Sequence, residues 1–217
     1  MSEPHFNPNS GAPRPSGSSF DMQIVVQLIR SPFQGLALST GSQWLYGVLG
    51  IVASIVGFAL WTTVSVSSIF GAFLNPLASL TGGGGIGFSV YSSMFFRMIV
   101  LAVISQGLLT GSIWVFGNWL GSRKYAWRDL ITYLGGIQWL FGAGYIVAAI
   151  IGLLLGQIGF LLASVTLILN LIFIVIAALE IYAIESMQKR AELLVYAIGS
   201  YVIVLGIVSP GFFGSIL

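Results

Sequence analysis

Five long apolar runs, separated by short polar connectors, constrain the fold more than any single residue does. They cover residues 44–66, 93–118, 131–154, 160–182 and 193–207. A helix needs about 20 consecutive apolar residues to cross the hydrocarbon core of a bilayer. Trp44 near one end of the first run and Trp61 near the other are typical of an aromatic belt. Only 6% of the 217 residues are charged, whereas a soluble domain carries roughly 25%. The sequence therefore predicts an all-α integral membrane protein with five transmembrane helices.

The chain before the first run divides into two parts. Residues 1–19 are rich in Pro, Ser, Gly and Asn, a composition that predicts a disordered tail. Residues 20–38 are amphipathic, and Pro32 should break or bend the helix that they form. Their apolar positions recur at helical spacing: Phe20, Ile24, Leu28 and Ile29. The segment is too short to span, so we expect an interfacial helix that lies either in the lipid headgroups or against protein.

The distribution of Lys and Arg predicts the orientation in the membrane. Seven of the eight basic residues fall on one side of the bilayer if the chain crosses it five times: Arg14, Arg30, Arg123, Lys124, Arg128, Lys189 and Arg190. Positively charged connectors stay in the cytoplasm. We therefore expect the tail 1–19 and the amino terminus to be cytoplasmic and the carboxyl terminus to face outward.

The residue inventory argues against most chemistry. The chain has no cysteine, so disulfides, thiolate metal sites and cysteine nucleophiles are excluded. Its one histidine, His5, lies in the polar tail, and no paired carboxylates occur at positions that suit acid–base catalysis. Scattered basic residues do not form a stripe that could follow nucleic-acid phosphates. We predict no catalytic residues, metal site, cofactor or nucleic-acid partner.

Five polar residues inside the apolar runs are candidate functional positions. Arg97 is either an interfacial arginine or a contact for a lipid phosphate. Gln106, Gln138 and Asn170 lie nearer mid-bilayer, and Glu180 lies near the cytoplasmic end of the fourth run. Polar groups in a membrane interior need partners, which other helices can supply. These residues indicate either hydrogen bonds between helices or a polar path through Gln106, Asn170 and Glu180.

Glycines spaced four residues apart are candidates for close helix packing. Such pairs let two helix backbones approach each other in lipid. They occur in the second and third runs: Gly107 and Gly111, Gly117 and Gly121, and Gly152 and Gly156. We expect packing within the chain or, as an alternative, between two copies of it.

Several short segments resemble the Yip1 family of five-span membrane proteins, especially its bacterial members. The segments are a basic connector Gly121–Leu130, the pair Gly144-Tyr145 in the third run, Glu180–Arg190 at the end of the fourth, Lys189-Arg190-Ala191 before the fifth, and Ser31-Pro32-Phe33 before the first. The resemblance implies an integral, non-catalytic membrane protein with a cytoplasmic amino terminus. It also implies a bacterial plasma-membrane location.

The functional expectation is therefore a Yip1-like protein that acts through helix packing with membrane partners or lipid. Its partners would be membrane lipids and either other integral membrane proteins or a second copy of itself. An accessory subunit of a larger membrane complex is one alternative. A small transporter or channel component that uses Arg97, Asn170 and Glu180 is another.

Overall fold

The computed structural model describes residues 20–81 and 88–213, and this part of the chain is helical apart from short connectors. Its elements are α1 (Met22–Arg30), a 3₁₀ helix (Pro32–Ala37), α2 (Trp44–Thr81), α3 (Phe88–Leu120), α4 (Trp127–Leu154), α5 (Gly156–Ile181) and α6 (Met187–Phe213). Helices α2 to α6 are each long and apolar enough to cross a membrane. The prediction of an all-α protein with five spanning helices is confirmed. The tail predicted at 1–19 lies outside the described residues.

Every spanning helix is longer than the apolar run that predicted it. Helix α6 begins at Met187, so Lys189 and Glu192 belong to its first turns. Charged side chains end an apolar run but do not end a helix, because a helix can continue into the headgroup region. Helix α2 likewise continues to Thr81. Between α4 and α5 only Leu155 leaves the helical conformation.

Helix α4 is the centre of the bundle. It packs against α2 and α5, and it also contacts α1 and the 3₁₀ helix. Helix α3 packs on α2 and α6, and α6 has its main contact with α3. In the most apolar window of α4, 44% of the residues are buried, whereas the corresponding fraction of α6 is 11%. The bundle therefore has a tightly packed side and a loosely packed side.

The α2–α4 interface is built from glycines that face each other. Gly47, Gly50 and Gly57 on α2 lie against Gly135 and Gly142 on α4. A Cβ atom placed at Gly57 would lie 2.7 Å from the carbonyl oxygen of Gly142, closer than real Cβ contacts. In lipid, helices associate through such close packing, because the acyl chains are as apolar as the side chains. These glycines therefore set the distance between the two helices.

The glycine pairs singled out by four-residue spacing have different surroundings. No described atom outside the local helix backbone lies within 4 Å of a Cβ placed at Gly107 or Gly111, so these two residues are not at a contact with another helix in the described part of the chain. Gly152 does pack closely, since a Cβ atom added at Gly159 would overlap the backbone of Gly152. Its glycine partner is Gly159 rather than Gly156. Spacing of four shows which residues share a helix face but not whether a neighbour covers that face.

The amphipathic segment packs on protein along its buried stripe. Helix α1 ends at Arg30 and the 3₁₀ helix begins at Pro32, as the proline predicts. Val25 and Leu28 are buried within the protein, whereas Met22 is 63% exposed on the other side of the helix. The backbone N–H of Asp21 donates to the hydroxyl of Tyr46 (2.6 Å) and so fixes the start of α1 to α2. Contact with protein thus accounts for one face of the segment and leaves the other for lipid.

Candidate functional site: a cavity inside the helix bundle

A cavity of about 500 Å³ lies inside the bundle and is lined by residues from all five spanning helices. Most of its wall is apolar, and none of the described residues that line it is charged. Its polar lining residues are Ser54, Ser105, Gln106, Tyr145, Asn170, Tyr201 and Ser209. Ligand sites commonly have this character, an apolar wall with a few polar groups that orient the bound molecule.

The polar groups cluster near the middle of the membrane-spanning segments. Ser54 lies midway along Trp44–Val66, Ser105 midway along Ser89–Leu120, and Asn170 close to the middle of its helix. At about 1.5 Å per residue, each of these three residues is roughly 15–24 Å from either end of its span. The hydrogen-bonding part of the cavity is therefore at the level of the bilayer centre.

The cavity opens sideways between α5 and α6. These two helices are consecutive in the chain but make little backbone contact with each other. Leu167 on α5 and Val202 on α6 line the cavity, yet they are 44% and 57% exposed. Residues at this depth face the acyl chains of a bilayer, so the opening connects the cavity with lipid.

Gln138 and Asn170 form a buried polar pair that joins α4 to α5 beside the cavity. The amide Nε2 of Gln138 donates to Oδ1 of Asn170 at 3.1 Å. The side-chain oxygen of Gln138 is buried and has no hydrogen-bond partner among the described residues. The hydroxyl of Tyr145 also lies within hydrogen-bonding reach of the Asn170 side chain. Asn170 thus accepts from Gln138 and lies beside the hydroxyl of Tyr145, and it is itself a lining residue of the cavity.

Ser105 and Tyr201 form a second polar pair among the lining residues. Their hydroxyl oxygens are 2.8 Å apart and join α3 to α6. Two hydroxyls that share one hydrogen bond retain a second hydrogen between them. Both pairs therefore place hydrogen-bond donors among the residues that line the cavity.

The Gly144-Tyr145 pair, taken from the family resemblance, has a defined structural place. A Cβ atom at Gly144 would lie 2.9 Å from Cγ2 of Thr166, so glycine permits the close approach of α5. Tyr145 lines the cavity and contacts the rings of Phe58 and Trp61, with centroids 5.6 Å and 6.1 Å away. Trp61 is 8% exposed, so it belongs to this aromatic wall and not to the lipid-facing belt that its sequence position predicts.

The predicted polar path is divided by the structure. Gln106 and Asn170 line the same cavity. Glu180 does not line it and is exposed in the last turn of α5. Arg97 is also absent from the lining and is partly exposed on α3, one turn before the lining residue Leu101. The two mid-membrane amides are brought together, and the two ionisable residues lie elsewhere.

At the charged end of the bundle, Lys124 caps the carboxyl end of α3. The sequence predicts Lys124 only as one of the basic residues that set the orientation. Its ammonium group donates to the carbonyl oxygens of Asn118 and Gly121 at the carboxyl end of α3. Basic side chains at this position satisfy carbonyls that have no partner inside the helix. The side chain of Asn118 exchanges two further hydrogen bonds with the backbone of Tyr125 (2.9 and 3.1 Å). Lys124 follows the last residue of α3, Leu120, by only four positions, and this spacing could have indicated the cap from the sequence.

Tyr182 joins the two connectors at that end. It is fully buried: its ring occupies the space that a Cβ atom at Gly117 would need, and its Cβ and carbonyl oxygen lie against Gly121. Its hydroxyl has no partner among the described residues. Burial raises the pKa of this hydroxyl, and the nearby Tyr125 raises it further. The contact is therefore held by shape rather than by a hydrogen bond of the side chain.

Comparisons with known proteins do not extend this picture. No protein-family model matches the chain, and no curated protein or solved structure gives a significant match. The Yip1 resemblance accordingly stays a prediction from the quoted segments. The cavity is interpreted from its own residues.

Proposed function

We propose that this protein is a non-catalytic, Yip1-like integral membrane protein that acts by contacting lipids and partner helices within the bilayer. The observation that carries the proposal is the sideways opening of the cavity between α5 and α6. A volume of about 500 Å³ is within the range of roughly 300–1,000 Å³ that is typical of small-molecule sites. A molecule dissolved in the bilayer can reach this space without passing through water.

The test compares lipid retention by two matched variants of α3. Ala102 lines the cavity and is buried, so Ala102→Phe fills part of the cavity. Its neighbour Val103 is 50% exposed on the outer face, so Val103→Phe adds a ring without entering the cavity. Native mass spectrometry in mild detergent should show a co-purified lipid in the wild type and in Val103→Phe, and its loss in Ala102→Phe. Equal retention by all three proteins, or none by the wild type, would contradict the proposal.

The orientation is part of the same proposal: amino terminus in the cytoplasm, carboxyl terminus outward, in a bacterial plasma membrane. The clustering of basic residues at one end of the bundle supports it. The chain contains no cysteine, so a single introduced thiol reports its own accessibility. In spheroplasts, a membrane-impermeant maleimide should label Gln157→Cys at the α4–α5 corner. It should label Ser122→Cys and Ser186→Cys only after the membrane is opened, and the reverse pattern would refute the orientation.

A role as accessory subunit of a larger complex is the alternative that one observation favours. Helix α6 has little protein cover, and its apolar residues Ile203 and Ile207 are 65% and 75% exposed. A partner helix would bury these side chains, as lipid also does. Purification from native membranes should then yield a stoichiometric complex that Ile203→Trp weakens.

The transport alternative has less support, because Arg97 and Glu180 do not line the cavity. Solute flux in liposomes that Glu180→Gln abolishes would restore it.

A further inference from the structure

We infer that the cavity binds an uncharged lipid that presents a carbonyl oxygen, and that it holds this oxygen near the bilayer centre between Asn170 and Ser105. The inference rests on the proposed function and adds the chemical class of the ligand. Two kinds of membrane molecule share this chemistry, isoprenoid-type quinones and diacylglycerols. Both carry carbonyl oxygens on a mostly apolar body without a formal charge, and a diacylglycerol has one hydroxyl in addition.

The charge of the lining excludes an ionic group in the cavity itself. None of the described lining residues is basic or acidic. An ionised group near the bilayer centre is strongly unfavourable unless a counter-charge or water accompanies it. The ligand part that contacts Ser105 and Asn170 is therefore neutral. A phospholipid would have to leave its phosphate elsewhere, with Arg97 as the nearest basic residue along α3, at an axial distance of about 12 Å from Ser105.

The hydrogen-bonding groups of the lining select an acceptor. Oδ1 of Asn170 accepts from Gln138, and the NH₂ group of Asn170 carries two hydrogens, so it can donate to a ligand as well as to the hydroxyl of Tyr145. The Ser105–Tyr201 pair likewise has one hydroxyl hydrogen left after its mutual hydrogen bond. The other polar lining residues, among them Ser54, Gln106 and Ser209, also carry an O–H or N–H group, so a ligand that presents carbonyl oxygens can accept from several lining residues.

The Gln138–Asn170 pair adds an independent observation. Gln138 is 1% exposed, and its side-chain oxygen has no partner among the described residues. A buried polar atom without a hydrogen bond destabilises the fold, and such atoms are rare in native proteins. Packing alone would be served better by two apolar side chains. Of the two residues, Asn170 lines the cavity and can present its amide there, whereas Gln138 lies behind it.

The experiment measures binding of defined probes to the full-length protein in detergent micelles by native mass spectrometry and thermal shift. The carbonyl probes are a decyl-substituted benzoquinone and dioctanoylglycerol, which distinguish the two sources. Decylbenzene is the matched probe without oxygen, and a phosphatidylglycerol is the ionic probe. We expect one molecule of a carbonyl probe per chain, and binding of decylbenzene about tenfold weaker, as the loss of one hydrogen bond implies.

Two cavity variants and one control locate the site. The double variant Ser105→Ala with Tyr201→Phe removes both hydroxyls of one pair, and Asn170→Leu removes the amide; each should weaken carbonyl-probe binding about tenfold. Ser112→Ala, on the same helix as Ser105 but bonded to the backbone oxygen of Leu109, should leave it unchanged. Asn170→Leu also leaves the buried Gln138 without its hydrogen-bond partner. If this single variant does not fold, binding is measured with the double variant Gln138→Leu and Asn170→Leu instead.

Each contrary outcome has a definite meaning. Equal binding of decylbenzene and the quinone would make the cavity a purely apolar site and overturn the inference. Binding of phosphatidylglycerol alone, abolished by Arg97→Gln, would overturn it in favour of a phosphate contact outside the cavity, while the proposed function would stand. Binding of no probe by a folded wild type, together with no co-purified lipid, would refute both.

Discussion

The α2–α4 interface and the α5–α6 opening are built on opposite principles, although both lie in the same membrane. At the first, Gly50 and Gly135 bring two backbones into direct contact. At the second, Leu167 and Val202 stand on separate helices with open space between them. Lipid offers no hydrophobic drive for helix association, so the strength of a contact depends on how closely backbones approach. The glycine interface therefore stabilises the bundle, and the other side is free to hold a cavity.

Polar contacts occur on both sides, since at the glycine contact Nε1 of Trp139 donates to the carbonyl oxygen of Tyr46 (2.9 Å). The two hydrogen-bonded pairs, Gln138–Asn170 and Ser105–Tyr201, flank the cavity and not the glycine contact. Inter-helix hydrogen bonds in membranes contribute on average about 0.6 kcal/mol each, because the unfolded state in the membrane also finds partners. We expect mutations in the glycine interface to affect stability more than mutations of the polar pairs.

The largest effect is expected from a bulky residue in the glycine interface. Gly135→Leu drives a side chain into the backbone of Gly47 on α2 and should lower the free energy of unfolding by about 3 kcal/mol or more. Gly111→Leu meets no atom within 4 Å at its Cβ and is the matched control. Reversible unfolding in mixed micelles, followed by circular dichroism, measures both. Equal losses would mean that the two sides of the bundle are packed alike.

A smaller effect is expected when the buried amide pair is broken. Asn170→Ala leaves Gln138 buried without a partner and should cost about 1–3 kcal/mol of folding free energy. The double variant Gln138→Leu with Asn170→Leu removes both polar groups and should recover most of this loss. The same unfolding assay compares the three proteins. A double variant that is less stable than Asn170→Ala would show that the pair itself holds α5 against α4.

The Ser105–Tyr201 bond should contribute less. A double-mutant cycle with Ser105→Ala and Tyr201→Phe should give a coupling energy of about 0.6 kcal/mol. The cycle isolates the bond, because both substitutions keep the volume of the side chain nearly constant. A coupling energy above about 2 kcal/mol would mean that α6 is held as firmly as α2, which would remove the contrast between the two sides.

The smallest effect is expected at Tyr182, where the contact depends on shape. Because the hydroxyl has no partner among the described residues, Tyr182→Phe should change the free energy of unfolding by less than about 0.5 kcal/mol at neutral pH. The raised pKa gives a pH signature. The unfolded state loses the phenolic proton first, near its ordinary pKa of 10.0, so stability falls as the pH rises above that value. The fall should be shallower in the Phe variant, and identical profiles would contradict this interpretation.

The fold was predictable because hydropathy is local, whereas the closest contacts depend on positions that local spacing does not reveal. Glycine spacing of four singles out Gly107 and Gly111, which face no helix within the described chain. The interface instead uses Gly50 and Gly57, seven residues apart, against the equally spaced Gly135 and Gly142. Spacing of seven is the heptad period of helices that run side by side. It indicates a packing face only once the partner helix is known.

The sequence predicted the depth of the polar residues in the membrane but not which of them face the cavity. Gln106 and Asn170 are uncharged polar residues in mid-run, and their common depth brings them to one cavity. Glu180 follows Asn170 on the same helix at an axial distance of about 15 Å and on another face. Trp61 has the sequence position of a belt residue, but its neighbours Phe58 and Tyr145 bury it. Depth along a helix can be estimated from sequence, but rotation about its axis toward a neighbour cannot.

The gap beside Leu167 and Val202 faces acyl chains, so occupancy of the cavity would follow the mole fraction of a ligand in the membrane and not its concentration in water. A sparingly soluble compound at a nanomolar total concentration can still reach a high mole fraction in the bilayer. Titrations of this protein should therefore be scaled to the amount of lipid present. Apparent affinity should weaken in proportion as empty vesicles are added.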